Sequence, residues 1–285
     1  MQKRLVNIII ILVILLSSCE KPIVFTEEIK EPKLVINSFF NPDSTWTIYL
    51  SHSLTVIDQG ELDPVDNATV KLFENEEFIA NLDLAANGKY VSAMKPLENK
   101  KYRIEAEAPG YKKVSSISNV PKESIQVLSI DTSRVNFFDE EYLKFKIEVN
   151  DVGEELHYYG IRLFGFNEGY LSPVYFRSAD PVLNVGSDYV ESATFTNELF
   201  TNSVTTIELS ADVLMYDGSG FIFDRIILVI ETFSEEAYLY NRSYEAYQTA
   251  IDDFFAQPVQ VFSNIENGFG IFGGFRTLEY PLDLQ

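Results

Sequence analysis

The chain has 285 residues, of which 46% are hydrophobic and 14% aromatic, and its formal net charge is −21. This length and composition suit one substantial folded domain or two modest ones and exclude a disordered chain. The single cysteine excludes an internal disulfide scaffold and a thiolate metal cluster. The negative charge disfavours nucleic acid and anionic lipid headgroups as partners.

The amino terminus has the features of an export signal. Lys3 and Arg4 precede an apolar run over 5–16 that is too short for a membrane-spanning helix. The run leads into a sequence that resembles a bacterial lipobox, in which a peptidase cuts before a lipidated cysteine: Leu16, Ser17, Ser18 and Cys19. We therefore predict removal of residues 1–18 and membrane anchoring through acyl chains on Cys19. An ordinary signal peptide with an incidental cysteine is the alternative.

The rest of the chain divides into a short leading segment and two unequally charged halves. Residues 19–32 contain two prolines and several charged residues, which is typical of a tether. The pattern changes after Pro121, and 26 of the 43 acidic residues but only 8 of the 22 basic ones lie beyond position 125. We predict a β-sandwich over 33–124 and a β-rich domain with one helix over 125–285.

Alternation of apolar and polar residues, interrupted by turn signals, predicts strands throughout the first half. Trp46, Ile48 and Leu50, for example, alternate with polar neighbours, so one face of that strand belongs to the core. Asn87 and Gly88 supply the positive φ angles of a tight hairpin turn. The predicted strands are 33–37, 47–51, 68–73, 78–84, 89–93 and 101–106.

Two kinds of strand are predicted in the second half. Residues 143–149 and 159–163 alternate in the same way as the first-half strands. The run from Ile226 to Ile230 is continuously apolar and suits a central strand covered on both faces, although periodicity alone leaves a buried helix open.

One helix is predicted near 234–255. Ser234 can cap it, and Glu235 and Glu236 lie in its positively polarised first turn. Residues at helical spacing predict that one face lies against the sheet until Pro258. Those residues are Leu239, Ser243, Ala246, Tyr247, Ala250, Ile251 and Phe254.

Several segments together resemble known families. Residues 65–111, with the hairpin Asn87-Gly88-Lys89-Tyr90 and the closing Ala108-Pro109-Gly110-Tyr111, resemble the transthyretin-like, carboxypeptidase-regulatory type of β-sandwich. The lipobox, the Pro32–Asn37 segment and the run over 258–274 make nearly the whole mature chain similar to the Bacteroidota lipoproteins grouped as domain of unknown function 4249. The motif residues of that run are Asn264, Glu266, Asn267, Gly268, Gly270, Phe272, Gly273 and Gly274.

That resemblance implies a role but no site residues. Such lipoproteins tend to be encoded near TonB-dependent outer-membrane receptors, so the resemblance implies an accessory role beside a receptor of this type. It supplies no catalytic or binding residues.

The glycine-rich run formally fits the G-x-G-x-x-G pattern of dinucleotide sites. Such a site needs a following helix within a βαβ unit and an acidic residue roughly 20 positions later, but only twelve residues follow Gly273. We instead expect glycines that let a terminal strand and loop pass close to neighbouring backbone. Phe269, Phe272 and Phe275 suit either core anchors on that loop or an exposed patch that binds a partner.

Neither the acidic clusters nor the two histidines indicate a metal site or a catalytic centre. EF-hand spacing is absent, so we expect solvated loops rather than calcium sites at Asp58, Asp63, Asp66, Asp139, Glu140, Glu141, Asp151, Glu154 and Glu155. His52 and His157 lack a Gly-x-Ser-x-Gly elbow and are expected at the surface or its rim. We predict no cofactor, no metal and no catalytic residue.

Aromatic residues are interspersed with Asn, Ser and Gly between residues 158 and 189. Amphipathic aromatics beside small polar residues suit recognition loops that bind a glycan, a peptide or a protein. A poorly patterned part of the core is the alternative. The candidate binding residues are Tyr158, Tyr159, Tyr170, Tyr175 and Phe176.

The sequence thus predicts a mostly β, lipid-anchored lipoprotein of the outer membrane, at the cell surface rather than on the periplasmic face. We expect it to assist a TonB-dependent receptor in nutrient capture or import, without enzymatic activity. The acidic second half leaves open a cell-surface hydrolase that uses a carboxylate pair. A structural or adhesion module is a third possibility.

Overall fold

The computed structural model describes residues 31–54, 63–137, 140–185, 189–213, 222–252 and 256–284. From Pro32 onward they belong to one compact unit. The predicted signal segment over 1–18, Cys19 and nearly all of the predicted tether lie outside the described residues, so those assignments stay predictions.

The described residues form sixteen strands and one helix, and this mostly β content confirms the predicted fold class. In chain order the elements are β1 (Leu34–Phe40), β2 (Thr47–His52), β3 (Thr69–Glu74), β4 (Glu77–Ala86), β5 (Lys89–Val91), β6 (Lys101–Glu107), β7 (Val114–Asn119), β8 (Ile125–Phe137), β9 (Glu140–Asp151), β10 (Tyr158–Asn167), β11 (Tyr170–Val174), β12 (Phe176–Arg177), β13 (Ser192–Thr196), β14 (Val204–Ala211), β15 (Arg225–Phe233), α1 (Glu235–Asp252) and β16 (Phe269–Asp283).

Two sheets contain all of these strands. The long sheet has the order β11-β10-β15-β16-β1-β2-β5-β4-β3-β6-β7, and β13 pairs with β10 beside β11. The short sheet has the order β12-β14-β9-β8. Side chains of β9 and β14 pack on those of β10 and β15 in one core, so the second half is a β-sandwich.

The first half encloses its core because the long sheet folds back on itself at β4. Residues of β4 up to Leu82 pair with β3, whereas those from Asp83 onward pair with β5. The ladder between β4 and β5 is irregular between Leu84 and Ala86, as expected where a strand bends. Inside the fold, Trp46 and other buried aromatics from several strands pack together.

Strand β16 joins the two halves. Its first part, Phe269–Gly274, pairs in parallel with β1, and its second part, Phe275–Asp283, pairs antiparallel with β15. At Gly270, where φ is 101°, a Cβ would lie 2.0 Å from a backbone oxygen of β1, and at Gly274 it would lie 2.0 Å from one of β7. The expectation that these glycines allow close backbone approach is confirmed.

Helix α1 begins directly after Ser234, as the sequence predicts. The Ser234 Oγ accepts hydrogen bonds from the backbone N–H groups of Ala237, at 3.2 Å, and Gly274, at 3.3 Å. It therefore caps the helix and ties the first turn to β16. Ala237 and Tyr238 are buried against Phe233 of β15.

The second half of α1 departs from the prediction. Ala246, Tyr247 and Ile251 were expected against the sheet but are exposed, and Phe254 lies outside the described residues. The reason is that Glu245, rather than these residues, turns toward the sheet, where it is hydrogen-bonded to the polar Ser192 and Thr194 of β13. Among the described residues, no helix has the length and apolar character needed to cross a bilayer.

The predicted strands correspond to β1–β6, β9, β10 and β15, with ends that differ by a few residues. Ile226–Ile230 lies in β15, between β10 and β16, and its side chains are buried or half-buried as predicted for a central strand. The predicted boundary at 124/125 falls between Val120 of the first core and Ile125 of the second. Strand β16 contributes side chains to both cores.

Candidate functional site: a groove between the helix and the sheet

A groove with a volume of about 860 Å³ lies between α1 and the sheet edge at β13. Its walls are the exposed half of α1, strand β13 and the chain on either side of β13. Volumes of this size are typical of ligand-binding clefts. The groove is lined by Pro181, Val182, Leu183, Asn184, Val185, Val190, Glu191, Ser192, Ala193, Thr194, Phe195, Thr196, Glu198, Leu199, Tyr238, Arg242, Tyr244, Glu245, Ala246, Gln248 and Thr249.

A smaller cavity of about 250 Å³ lies next to the groove, on the side of β10 and β15. The residues that line both spaces are Ser192, Ala193, Thr194, Tyr244 and Glu245. The cavity also reaches Phe39 of β1, Arg162 of β10, Glu231 of β15 and Phe275 of β16. Elements from both halves of the chain therefore converge on the inner end of the groove.

Glu245 stands where the two spaces meet. Its carboxylate accepts hydrogen bonds from the hydroxyls of Ser192, at 3.2 Å, and Thr194, at 3.4 Å. Burial raises the pKa of the Glu245 carboxyl, and the two hydroxyls and the charge of Arg242 offset this only in part. Among the described residues, no Lys or Arg nitrogen lies within 4.0 Å of this carboxylate.

A second carboxylate, Glu231, lines the inner cavity and is only 7% exposed. The Arg162 guanidinium donates to Glu231 Oε1 at 2.5 Å across the strands β10 and β15. Burial nevertheless raises the pKa of the Glu231 carboxyl, because the arginine compensates incompletely for lost hydration. Gly160 faces this pair, where a Cβ would lie 2.6 Å from the Phe233 ring and 3.3 Å from Glu231 Oε2.

A row of stacked tyrosine rings runs along α1, and one of them, Tyr244, lines the groove. The rings of Tyr240 and Tyr244 stack with centroids 6.0 Å apart, and those of Tyr244 and Tyr247 with centroids 6.3 Å apart. Phe39 meets Tyr240 edge-on at 5.6 Å. Tyr244 is 44% exposed and lines both spaces, so the part of its ring that Tyr240 and Tyr247 leave uncovered is accessible to a ligand.

A second polar cluster, around Asp151, is fully occupied by protein. Its carboxylate accepts from the Tyr159 hydroxyl at 2.6 Å, the Asn197 side-chain amide at 3.0 Å and the Asn202 backbone N–H at 2.9 Å, and it lies 3.0 Å from His157 Nδ1. Burial alone would raise the pKa of Asp151, but these hydrogen bonds outweigh burial and lower it. The cluster connects β9, β10 and the chain after β13, which is a structural role.

One expectation is corrected by this cluster. Asp151, expected in a solvated acidic loop, is buried because four groups satisfy it. His157, expected at the surface or its rim, is partly exposed at the edge of the cluster, where it contacts Asp151. His52 is half-buried at the end of β2, 3.7 Å from the exposed Asp63.

The predicted aromatic binding surface is divided by the structure. Tyr159 and Phe176 are fully buried, so assigning them to a surface was wrong; they complete the sandwich core. Tyr158 is half-buried against Tyr238, with ring centroids 4.8 Å apart. Tyr170 and Tyr175 are 77% and 52% exposed on β11 and just after it, outside the lining of the groove.

The C-terminal motif residues build structure. Asn264 and Phe272 exchange two hydrogen bonds, from Asn264 Nδ2 to the Phe272 carbonyl and from the Phe272 N–H to Asn264 Oδ1. The Glu266 carboxylate accepts from Ser115 of β7, and the Asn267 side-chain amide donates to the Lys113 carbonyl. These contacts hold the segment before β16 against β7.

The phenylalanines of the motif region have different surroundings. They lie in or at the start of the two paired parts of β16 rather than on a loop. Phe272 is a core anchor, Phe275 is half-buried beside the inner cavity, and Phe269 is 45% exposed.

No set of three or more His, Cys, Asp or Glu side chains in the described part of the chain is arranged to hold a metal ion. Of the acidic residues singled out from the sequence, Asp58 and Asp139 lie outside that part, and Asp66 accepts a hydrogen bond from the Gly88 N–H at 2.6 Å.

Sequence reasoning missed Arg162, Glu231 and Glu245. Each belongs to a segment whose secondary structure was predicted, but their convergence depends on pairing between β10 and β15 and on the helix crossing β13. The one local signal was Glu231, an acidic residue directly after an apolar run that predicts a buried strand.

A family model described as domain of unknown function (DUF4249) matches residues 20–280. Comparison with curated protein sequences gave no match.

Similar solved structures are distant. A DUF4785 family protein from Legionella pneumophila is 10% identical with a TM-score of 0.28; the match covers 70% of this chain and half of that protein. A Bacteroides uniformis protein described as a candidate carbohydrate binding protein is 12% identical with a TM-score of 0.22, over 88% of this chain and 99% of that one. A β-glucuronidase from Parabacteroides merdae is 10% identical with a TM-score of 0.22, over 71% of this chain and 23% of the enzyme. Similarity at this level supports no conclusion about ligand or activity.

Proposed function

The chain belongs to the DUF4249 family, a domain of unknown function, and we propose that it is a lipid-anchored, non-enzymatic binding protein that uses the groove beside α1. In this proposal Cys19 anchors it in the outer membrane at the cell surface. There it delivers a polar ligand to a TonB-dependent receptor for nutrient capture or import.

The observation behind the binding role is the groove itself. Its lining and that of the neighbouring inner cavity combine the exposed Tyr244 ring with carboxylates and hydroxyls. Apolar ring faces with a few convergent polar groups are the usual composition of small-ligand sites. A helix packed fully on the sheet, as the sequence predicts, would leave no such space.

The location and the receptor rest on the amino-terminal sequence. The lipobox-like Leu16–Cys19 and the resemblance to lipoproteins encoded near TonB-dependent receptors support them. The net charge of −21 disfavours adsorption of the protein surface to anionic headgroups, so the lipid has to provide the membrane attachment.

The receptor partnership is tested by affinity purification of the tagged, lipidated protein from detergent-solubilised outer membranes, followed by mass spectrometry. We expect a TonB-dependent β-barrel in stoichiometric amount. A Cys19→Ser variant, which lacks the anchor, should leave the membrane fraction and lose the receptor. Recovery of the lipoprotein alone would contradict the accessory role.

The binding role is tested by filling the groove. Ala246 is exposed and lines the groove, so Ala246→Trp should block it while leaving both cores intact. Ile251→Trp, on an exposed position outside the lining, is the matched control. If substrate uptake by cells is the same with both variants, the groove is not the binding site.

A hydrolase remains the second candidate because Glu231 and Glu245 line the same inner cavity. A glycosidase requires a protonated carboxylic acid and an ionised carboxylate; here Glu245, whose pKa is raised by burial, would be the acid, and Glu231, which pairs with Arg162, would be the ionised carboxylate. Turnover of a polysaccharide by the purified protein that is abolished by Glu231→Gln or Glu245→Gln would favour the hydrolase over the binding protein.

A further inference from the structure

We propose that the groove selects ligands by a primary ammonium group, held between the Glu245 carboxylate and the Tyr244 ring. This inference rests on the proposed binding role of the groove and names the chemical class of its ligand. A lysine-containing peptide and a free polyamine share this group, and the experiment below distinguishes them.

The first argument is the charge of the lining. Among the described residues that line the two spaces there are four carboxylates, Glu191, Glu198, Glu231 and Glu245, and two arginines. Both arginines already have partners, since Arg162 pairs with Glu231 at 2.5 Å and Arg242 donates to the Tyr238 hydroxyl at 2.9 Å. An anionic ligand would therefore meet net repulsion, whereas the field of the groove and of the whole chain attracts cations.

The second argument is the incomplete coordination of Glu245. A carboxylate has about four acceptor positions, and this one receives two hydroxyls at the long distances of 3.2 and 3.4 Å. Asp151 in the same half receives short hydrogen bonds from several protein groups. Glu245 thus keeps acceptor capacity on a side chain that lines both spaces.

The third argument is the ring beside that carboxylate. Tyr244 precedes Glu245 on α1, lines the same two spaces and is 44% exposed between the stacked rings of Tyr240 and Tyr247. An ammonium group over a tyrosine face gains cation–π attraction, and a neighbouring carboxylate adds a charge-assisted hydrogen bond. An ammonium group donates three hydrogen bonds, so it can bind the carboxylate and still meet a second acceptor.

The groove is larger than one ammonium group needs. A volume of about 860 Å³ is within the range of clefts that enclose drug-sized ligands. The Asn184, Gln248 and Thr249 side chains on its walls can pair with amide groups of a bound peptide. Glu191 and Glu198, which also line the groove, add a second attraction for further positive charges.

The test measures binding of three probes to the full-length protein by calorimetry at 0.15 M salt. The probes are trilysine amide, its fully acetylated form and spermidine. We expect trilysine amide to bind at least tenfold more tightly than the acetylated form, because acetylation removes the charge but keeps the backbone. Stronger binding of spermidine than of trilysine amide would identify a polyamine as the source; the reverse order would identify a peptide.

Glu245→Gln keeps the shape and the hydroxyl contacts but removes the charge, so it should weaken binding of the cationic probes about tenfold or more. Glu107→Gln on β6 changes the net charge equally at an exposed position outside the groove and should leave binding unchanged. Tyr244→Leu is the second variant and should weaken binding severalfold through loss of the ring face.

Acidification gives an independent readout. The charged groups that line the same spaces as Glu245 are Arg242 on α1, Arg162 on β10, Glu231 on β15, Glu191 before β13 and Glu198 after it. Because the pKa of Glu245 is raised, binding should fall as the pH drops through that pKa, and Glu245→Gln should flatten this profile.

Equal binding of the charged and acetylated peptides, or full affinity in Glu245→Gln, would overturn the ammonium assignment while leaving the groove as a binding site. Absence of binding for both cationic probes would also overturn it. The proposed binding role is decided separately, by the comparison of Ala246→Trp with Ile251→Trp.

Discussion

The carboxylates of Asp151 and Glu245, both in the second half of the chain, differ in the groups that hydrogen-bond to them. Asp151 is satisfied by hydroxyl, amide and imidazole groups of its own chain, and its pKa is lowered. Glu245 receives two long hydroxyl contacts beside a cavity, and its pKa is raised. A carboxylate whose hydrogen bonds are made within the protein stabilises the fold, whereas one left partly open beside a cavity is available to a ligand.

The largest effect should come from Asp151→Asn. The amide cannot accept from all of the donors that surround it, so we expect a loss of about 3 kcal/mol in the free energy of unfolding, measured with urea. Because the folded-state pKa of Asp151 is lowered, the wild-type contribution is present above the ordinary pKa and is lost as the pH falls through the lowered one. The variant should lack that acid-dependent loss. A change below 1 kcal/mol would show that the cluster is not structural.

The next effect is expected from Arg162→Met, which leaves Glu231 buried without its partner. We expect about 2 kcal/mol of destabilisation at pH 8, less than for a fully buried pair because the arginine side chain is 37% exposed. The raised folded-state pKa of Glu231 means that the folded state binds a proton more readily than the unfolded one. The destabilisation should therefore shrink toward pH 5, and equal losses at both pH values would contradict this assignment.

A smaller effect is expected from Gly160→Ala. The added Cβ would meet the Phe233 ring at 2.6 Å, so we expect a cost of about 1–2 kcal/mol in urea unfolding. Replacing the ring by the smaller leucine side chain should relieve that contact. The loss of unfolding free energy caused by Gly160→Ala should therefore be smaller in a Phe233→Leu background. Strict additivity of the two substitutions would show that the glycine does not make room for this ring.

The smallest effect on stability is expected from Glu245→Gln. The ionised carboxylate is disfavoured by burial in the folded state, so its replacement by an amide should change the free energy of unfolding by no more than about 0.5 kcal/mol. The same urea experiment thus separates this variant from Asp151→Asn. A loss comparable to that of Asp151→Asn would mean that Glu245 also serves the fold.

Local sequence patterns predicted the strands and the helix but not the tertiary contacts between them. Period-two alternation located β2 and β6, and a capping serine followed by two glutamates located the start of α1, because these signals depend on neighbours in the sequence. The partners of Asp151 could not be predicted, since Asn197 and Asn202 reach it from more than 40 residues away.

The aromatic segment shows the same limit. Tyr159 and Tyr170 are chemically equal in the sequence, but one is buried in the sandwich core and the other is 77% exposed. Which of them becomes a surface residue depends on the short sheet that covers β10. The groove depends likewise on how far α1 stands from β13, which no repeat of apolar residues encodes.

The pairing of β16 with β1 also sets the order in which the chain can finish folding. During synthesis on the ribosome, strands β1–β7 are made long before residues 269–274. Until β16 has been made, the edge of β1 that pairs with it is unpaired and the first core lacks the Phe272 side chain. Contacts of such sequence separation slow folding, and an unpaired edge invites association with other strands. A chain that stops before β16 would therefore have an incomplete first half that aggregates and is cut readily by proteases. Folding of the first half thus depends on translation of the last strand.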